Sequence, residues 1–201
     1  MDKKPDTIFV IVDGTKKGDT RRGPLFSNVA GHVRVYEWNS TDWNQKGNDI
    51  DGEAAADLFG YSVSVSSDGT VIAIGAILND GTAYNAGHVR VYEWNSTDWR
   101  QKGGDIDGET IYDFFGHSVS LSCNGNVVAV GAPSNDGNGD DYYYSGHVRV
   151  HEWNGTDWQQ RGSDIDGEAI YDQSGYSVSL SSDGSIVAIG APYNSENRTD
   201  S

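Results

Sequence analysis

The chain repeats itself, and that limits its folds more than any other feature. Gly-His-Val-Arg-Val begins at Gly31, Gly87 and Gly146, and Asp-Ile-Asp-Gly-Glu begins at Asp49, Asp105 and Asp164. Both motifs advance by 56 and then 59 residues. A fixed period of this length means one supersecondary unit stacked on copies of itself. The three extra residues fall in the segment Ser134–Ser145, the counterpart of Leu78–Ala86. The insertion is therefore confined to one loop and leaves the strands in register.

Each unit reads as four short strands. Tyr61–Ser66 alternates, with Val63 and Val65 on one side and Ser62, Ser64 and Ser66 on the other, the period of a strand. Ser67-Asp68-Gly69 signals a hairpin. Val71–Ala76 is apolar or small throughout, so both of its faces are expected to be covered. His88–Trp94 alternates again, Asn95 to Asp98 turns, and Trp99–Lys102 is the fourth strand. Four antiparallel strands in about 56 residues suit a propeller blade. The serine face of the first strand suits sheets that approach closely around an axis.

The fold class expected is all-β: a partial β-propeller of four-stranded antiparallel blades. Residues 1–201 form one array, divided into a partial blade (1–58), blades at 59–114 and 115–173, and a half-blade (174–201). The first segment supplies strands Gly31–Trp38 and Trp43–Ile50, with Ile8–Val12 a degraded second strand. The last supplies Tyr176–Ser181 and Ile186–Ala191. Three blades are fewer than propellers usually close with, so the chain is expected to be a fragment or to assemble head to tail. Further blades or a second copy would complete the ring.

Phe59-Gly60 with Gly75-Ala76, Phe115-Gly116 with Gly131-Ala132-Pro133, and Ser174-Gly175 with Gly190-Ala191-Pro192 resemble the two ends of an FG-GAP repeat. The third copy lacks the Phe, and Ile77 stands in for a Pro in the first. The resemblance runs from about Gly31 to Tyr193. It implies an integrin-like β-propeller, often extracellular and used in adhesion or ligand binding. The integrin type carries a calcium loop between its first two strands. Here only Ser-Asp-Gly joins them, so that site has no place there.

Acidic residues cluster instead before the first strand. Asp49, Asp51, Glu53 and Asp57 stand at positions 1, 3, 5 and 9 of a motif that recurs as Asp105, Asp107, Glu109, Asp113 and as Asp164, Asp166, Glu168, Asp172. Alternate carboxylates in a tight loop can converge on calcium. The opposing reading is a solvated turn whose carboxylates cap backbone amides, and Ala54, Thr110 or Ala169 occupies the place where calcium loops usually have Gly. Asp136 to Asp140 is a second acidic loop.

Asn39, Asn95, Asn154 and Asn197 each begin an N-glycosylation sequon. The first three fall on the same hairpin tip, where Asn also simply makes a good turn. His32, His88 and His147 recur in every unit, which marks them as scaffold, since a catalytic constellation needs one unique set. No nucleophile elbow, phosphate loop or zinc spacing occurs, and the chain is not expected to be an enzyme. Residues peculiar to one unit are better placed for specificity: Tyr142, Tyr143 and Tyr144, and the basic stretch with Lys16, Lys17, Arg21 and Arg22. The one cysteine, Cys123, matches Ser67 and Ser182 and reads as a neutral substitution.

Acidic residues outnumber basic ones by 30 to 14, which argues against nucleic acid or an anionic membrane as partner. No segment is apolar for long enough to insert in a bilayer as a helix, and no signal peptide is visible. The function expected is a non-catalytic extracellular or cell-surface binding module with a protein or glycan ligand. The alternatives are a structural surface-coat array and a piece of a propeller hydrolase.

Overall fold

The computed structural model describes residues 8–12, as backbone alone, 30–136 and 143–195. All of its regular structure is β, with no helix among the described residues. None is therefore long and apolar enough to cross a membrane.

The second blade is assembled from β5 (Phe59–Val65), β6 (Val71–Ala76), β7 (His88–Trp94) and β8 (Trp99–Gln101), hydrogen-bonded in chain order. The third repeats the order with β10 (Ser118–Leu121), β11 (Val127–Ala132), β12 (His147–Trp153) and β13 (Trp158–Gln160). A hairpin of β15 (Ser177–Leu180) and β16 (Val187–Gly190) begins the next unit. In the first unit, β1 (Ile8–Val12) pairs with β2 (His32–Trp38), followed by β3 (Trp43–Gln45). Ile8 faces Glu37 as Val71 faces Glu93, so β1 occupies the second-strand place.

The structure corrects two readings. Trp43–Ile50 is not one strand: β3 stops at Gln45, the chain turns through Gly47 at φ 79°, and β4 (Ile50–Asp51) pairs back with the start of β2. The matching strands β9 (Ile106–Asp107) and β14 (Ile165–Asp166) pair with β7 and β12. Blades therefore have five strands where four were expected. The acidic motif starts as a short strand, with Asp51, Asp107 and Asp166 opposite His32, His88 and His147.

The core lies between blades. Every residue of β6 is buried. Ile72, Ile74 and Ala76 pack toward the first unit with Val33, Val35, Phe59 and Trp99. Val71 and Ala73 pack toward the third blade with Phe115, Val128, Val130 and Trp158. Each large aliphatic chain so buried contributes about 1.5–3 kcal/mol.

The inner strands β5, β10 and β15 lie side by side, and serine is what lets them. Ser62 Oγ donates to the Gly116 carbonyl at 2.6 Å, and Ser118 Oγ to that of Gly175 at 2.8 Å. A Cβ on Gly75 would stand 2.2 Å from the Gly116 oxygen, so only glycine permits that approach. At the outer edge, Trp99 Nε1 donates to the Lys46 carbonyl and Trp158 Nε1 to that of Lys102.

Candidate functional site

Strand alternation puts the first and third residues of β7 on one face. His88 is 1% exposed, in the joint between the first and second units. Its Nδ1 lies 3.6 Å from Asp105 Oδ2 and 3.9 Å from Glu53 Oε1. Neither ring nitrogen has a hydrogen-bond partner among the described residues. Arg90 donates to both oxygens of Asp105, at 2.9 and 2.8 Å, and to Glu53. Burial, then the Arg90 charge, pushes His88 below its ordinary pKa. Burial opposes the charge on Asp105, but Arg90 and Gln101 outweigh it and hold that carboxyl below the usual range.

The next joint repeats the residues. Glu109, His147 and Asp164 each offer one ligand atom, and these atoms lie within 4.8 Å of one another. His147 is 1% exposed, its Nε2 has no partner, and its Nδ1 lies 3.7 Å from Asp164 Oδ2. Arg149 donates to Glu109 at 3.1 Å and to the Asp107 carbonyl at 2.7 Å, with its guanidinium 4.4 Å from the Phe115 ring centre. Asp164 accepts from Gln160 at 2.6 Å. Burial pushes His147 down as well.

The acidic motif thus sends its carboxylates to different partners. Position 1 is tied to the turn glutamine: Asp49 to Gln45, Asp105 to Gln101, Asp164 to Gln160. Position 5 reaches across to the following blade, Glu53 to Arg90 and Glu109 to Arg149. Position 9 is a buried cap. Asp113 accepts from the Glu109 and Thr110 amides and from Asn135, Asp57 from Asn79, and Asp172 from the Ala169 amide and Asn194. Burial raises Asp57 above the usual range. Among the described residues, the acid clusters that form draw Glu from one motif and Asp from the next. The clue lay in the period: Glu53 and Asp105 are 52 residues apart, close to one repeat, with the recurrent His and Arg between them.

At one end of the arc, two sets of loops meet. Tyr112 donates its amide to the Tyr84 carbonyl, and Tyr171 to that of Tyr143. The Tyr84 and Tyr112 rings meet edge to face at 5.4 Å, and those of Tyr144 and Tyr171 stack at 6.2 Å. Tyr112, Tyr144 and Tyr171 hold left-handed φ values of 64°, 53° and 66°, uncommon for bulky side chains. Tyr143 and Tyr144 are exposed. Tyr142, Asn138, Asp140 and the basic residues Lys16, Lys17, Arg21 and Arg22 lie outside the described residues.

Asn39, Asn95 and Asn154 are exposed at the hairpin tips. Each side-chain oxygen accepts from the amide two residues on, at 3.0, 3.0 and 2.9 Å. Asn197 lies outside the described residues.

With this geometry in view, residues 50–92 match the FG-GAP repeat family. That span runs from β4 into β7 and includes Glu53, His88 and Arg90. No curated protein matches the chain.

Proposed function

We propose that the chain is a non-catalytic binding module of the cell surface or extracellular space, with a glycan as ligand. Its ligand face is the loop end carrying Tyr84, Tyr112, Tyr144 and Tyr171. The observation that supports this most is the recurrence of an exposed tyrosine pair at two successive blade junctions. Tyr84, Tyr112 and Tyr171 are 58%, 46% and 56% exposed, although each offers large area for burial. A tyrosine ring stacks on the C–H face of a sugar, and its hydroxyl hydrogen-bonds at the rim. Asp80 and Asp136, exposed on the same loops, supply acceptors for sugar hydroxyls. Ala56 holds the equivalent left-handed place in the first copy, so the backbone belongs to the scaffold and the ring to the proposed site.

A glycan array followed by calorimetric titration of the best hit tests this reading. Tyr112→Ala and Tyr171→Ala should each weaken binding about tenfold while the protein stays folded. Unchanged affinity in both variants, or an array without hits beside a protein ligand that binds the same loops, overturns it.

The blade sequence also calls for a neighbour beyond β16, from further blades or from a second copy. Val71 and Val127 are 2% and 4% exposed, but Ile186, in the same place one unit on, is 68% exposed. Calcium at the motifs beginning with Asp49, Asp105 and Asp164 is a separate proposal. It requires a rise in melting temperature at millimolar calcium, and an unchanged melting curve removes it.

A further inference from the structure

We propose that the joints between blades are divalent-cation sites of the histidine–carboxylate type, and that Glu109, His147 and Asp164 form the one that fills first. The ligand types select the metal. One imidazole nitrogen with two carboxylates suits zinc and its first-row neighbours. Calcium takes six to eight oxygens, and this set does not supply them.

Two observations carry the inference. His88 and His147 are each 1% exposed. Among the described residues, His88 has no hydrogen bond at either nitrogen, including the Nδ1 that faces Asp105 and Glu53, and the Nε2 of His147, on the far side of the ring from Asp164, has none. Burying an imidazole in that state is costly unless something occupies it. The rings are aimed at carboxylates: the Nδ1-to-oxygen separations are 3.7 Å at His147 and 3.6 and 3.9 Å at His88. Those gaps are too long for hydrogen bonds. Two ligands bound to one zinc at ~2.1 Å stand at most ~4.2 Å apart, so one ion spans each gap with little movement.

The guanidinium decides which joint fills first. Arg90 holds both carboxylates of its site, so an ion must displace it. Arg149 holds Glu109 but reaches past Asp164 to the Asp107 carbonyl and rests on Phe115. Asp164 and His147 are therefore open to a cation. A chain of net charge −16 attracts one.

Zinc titration of the chelator-treated full chain, followed by calorimetry and by melting temperature, tests the proposal. Cobalt absorption serves as a second probe of nitrogen and oxygen coordination. One ion per chain should bind more tightly than any other and should raise the melting temperature. Asp164→Asn and Glu109→Gln change exposed or half-exposed groups, so both should fold. Each should weaken the tight site at least tenfold, and Asp105→Asn should leave it unchanged. Zinc affinity equal to wild type in Asp164→Asn and Glu109→Gln, or no tight site at all, overturns the proposal.

Discussion

At the joint before β7, Arg90 bridges Glu53 and Asp105; at the joint before β12, Arg149 holds Glu109 and a backbone carbonyl and leaves Asp164 to Gln160. The two strands differ at one residue. β7 reads HVRVYEW and β12 reads HVRVHEW, so Tyr92 becomes His151. Both rings stand edge-on to the phenylalanine of their joint at 6.4 Å. Only the second joint places its arginine over that phenylalanine, at 4.4 Å. The packing frame is copied faithfully while the polar wiring is not. Duplicated blades share a core because apolar contact is non-directional. Their hydrogen bonds diverge more readily, because each needs a particular partner and angle.

The largest expected effect separates the joint between the two complete blades from the joint between the third blade and the β15–β16 hairpin. A Cβ on Gly75 would stand 2.2 Å from the Gly116 oxygen, and one on Gly131 would stand 2.0 Å from that of Gly175. Both clashes are with backbone, which no rotamer relieves. Gly75→Ala should cost about 3 kcal/mol or more, because it wedges apart two complete blades. Gly131→Ala pushes on Ser118 Oγ, a side chain that can rotate, and on the Gly175 backbone that leads into the β15–β16 hairpin, which can move outward. It should leave the main unfolding transition nearly in place and speed hydrogen exchange across 177–190. Denaturant titration with exchange measured on both variants checks this, and equal losses in the main transition would remove the asymmetry.

The blade pattern was open to reading because strand alternation, turn residues and the repeat all pointed the same way. The all-apolar run Val71–Ala76 is buried along its length as expected. Even the degraded strand Ile8–Val12 pairs with β2, in the place of a second strand. The fifth strand escaped because two residues carry no alternation. Ile50 and Asp51 look like part of a turn until β2 is beside them. The joint clusters escaped for a related reason. In sequence Glu53 and Glu109 belong with their neighbours in the acidic motif, whereas their contacts lie in the following blade. Chain proximity is a good guide to a hairpin and a poor one to a contact between blades.

The next effect is in pH. Burial first, then the Arg149 charge, lowers His151 to a pKa of about 4. Unfolded, the ring titrates near 6.5. Between those values the unfolded chain binds the proton and the folded one does not, so stability falls as pH falls. From neutral pH to pH 5 this group alone removes about 2 kcal/mol. His151→Tyr restores the residue of the sister strand and should flatten that part of the profile. His88, His117 and His147 are lowered as well, so a weaker acid slope should persist. Melting temperatures from pH 7 to 5 for both proteins check this. Parallel profiles would place the acid sensitivity elsewhere.

The smallest effect tests the serine face. Ser64 Oγ accepts the Leu121 amide at 2.9 Å, and Ser120 Oγ accepts the Leu180 amide at 2.9 Å. The two bonds have the same length and the same place in the repeat, but their surroundings differ. Leu121 is buried, while Leu180 is half-buried on the hairpin beyond which no further blade is described. Removing an acceptor strands a donor, and the cost depends on whether water can take its place. Ser64→Ala should therefore cost about 1–2 kcal/mol, and Ser120→Ala only a few tenths. Denaturant midpoints at equal slope resolve the difference. If the two variants lose the same amount, the hairpin is as well covered as an inner blade. A second copy or another segment must then sit on it in solution, and light scattering on the same samples tells those apart, because only a second copy doubles the mass.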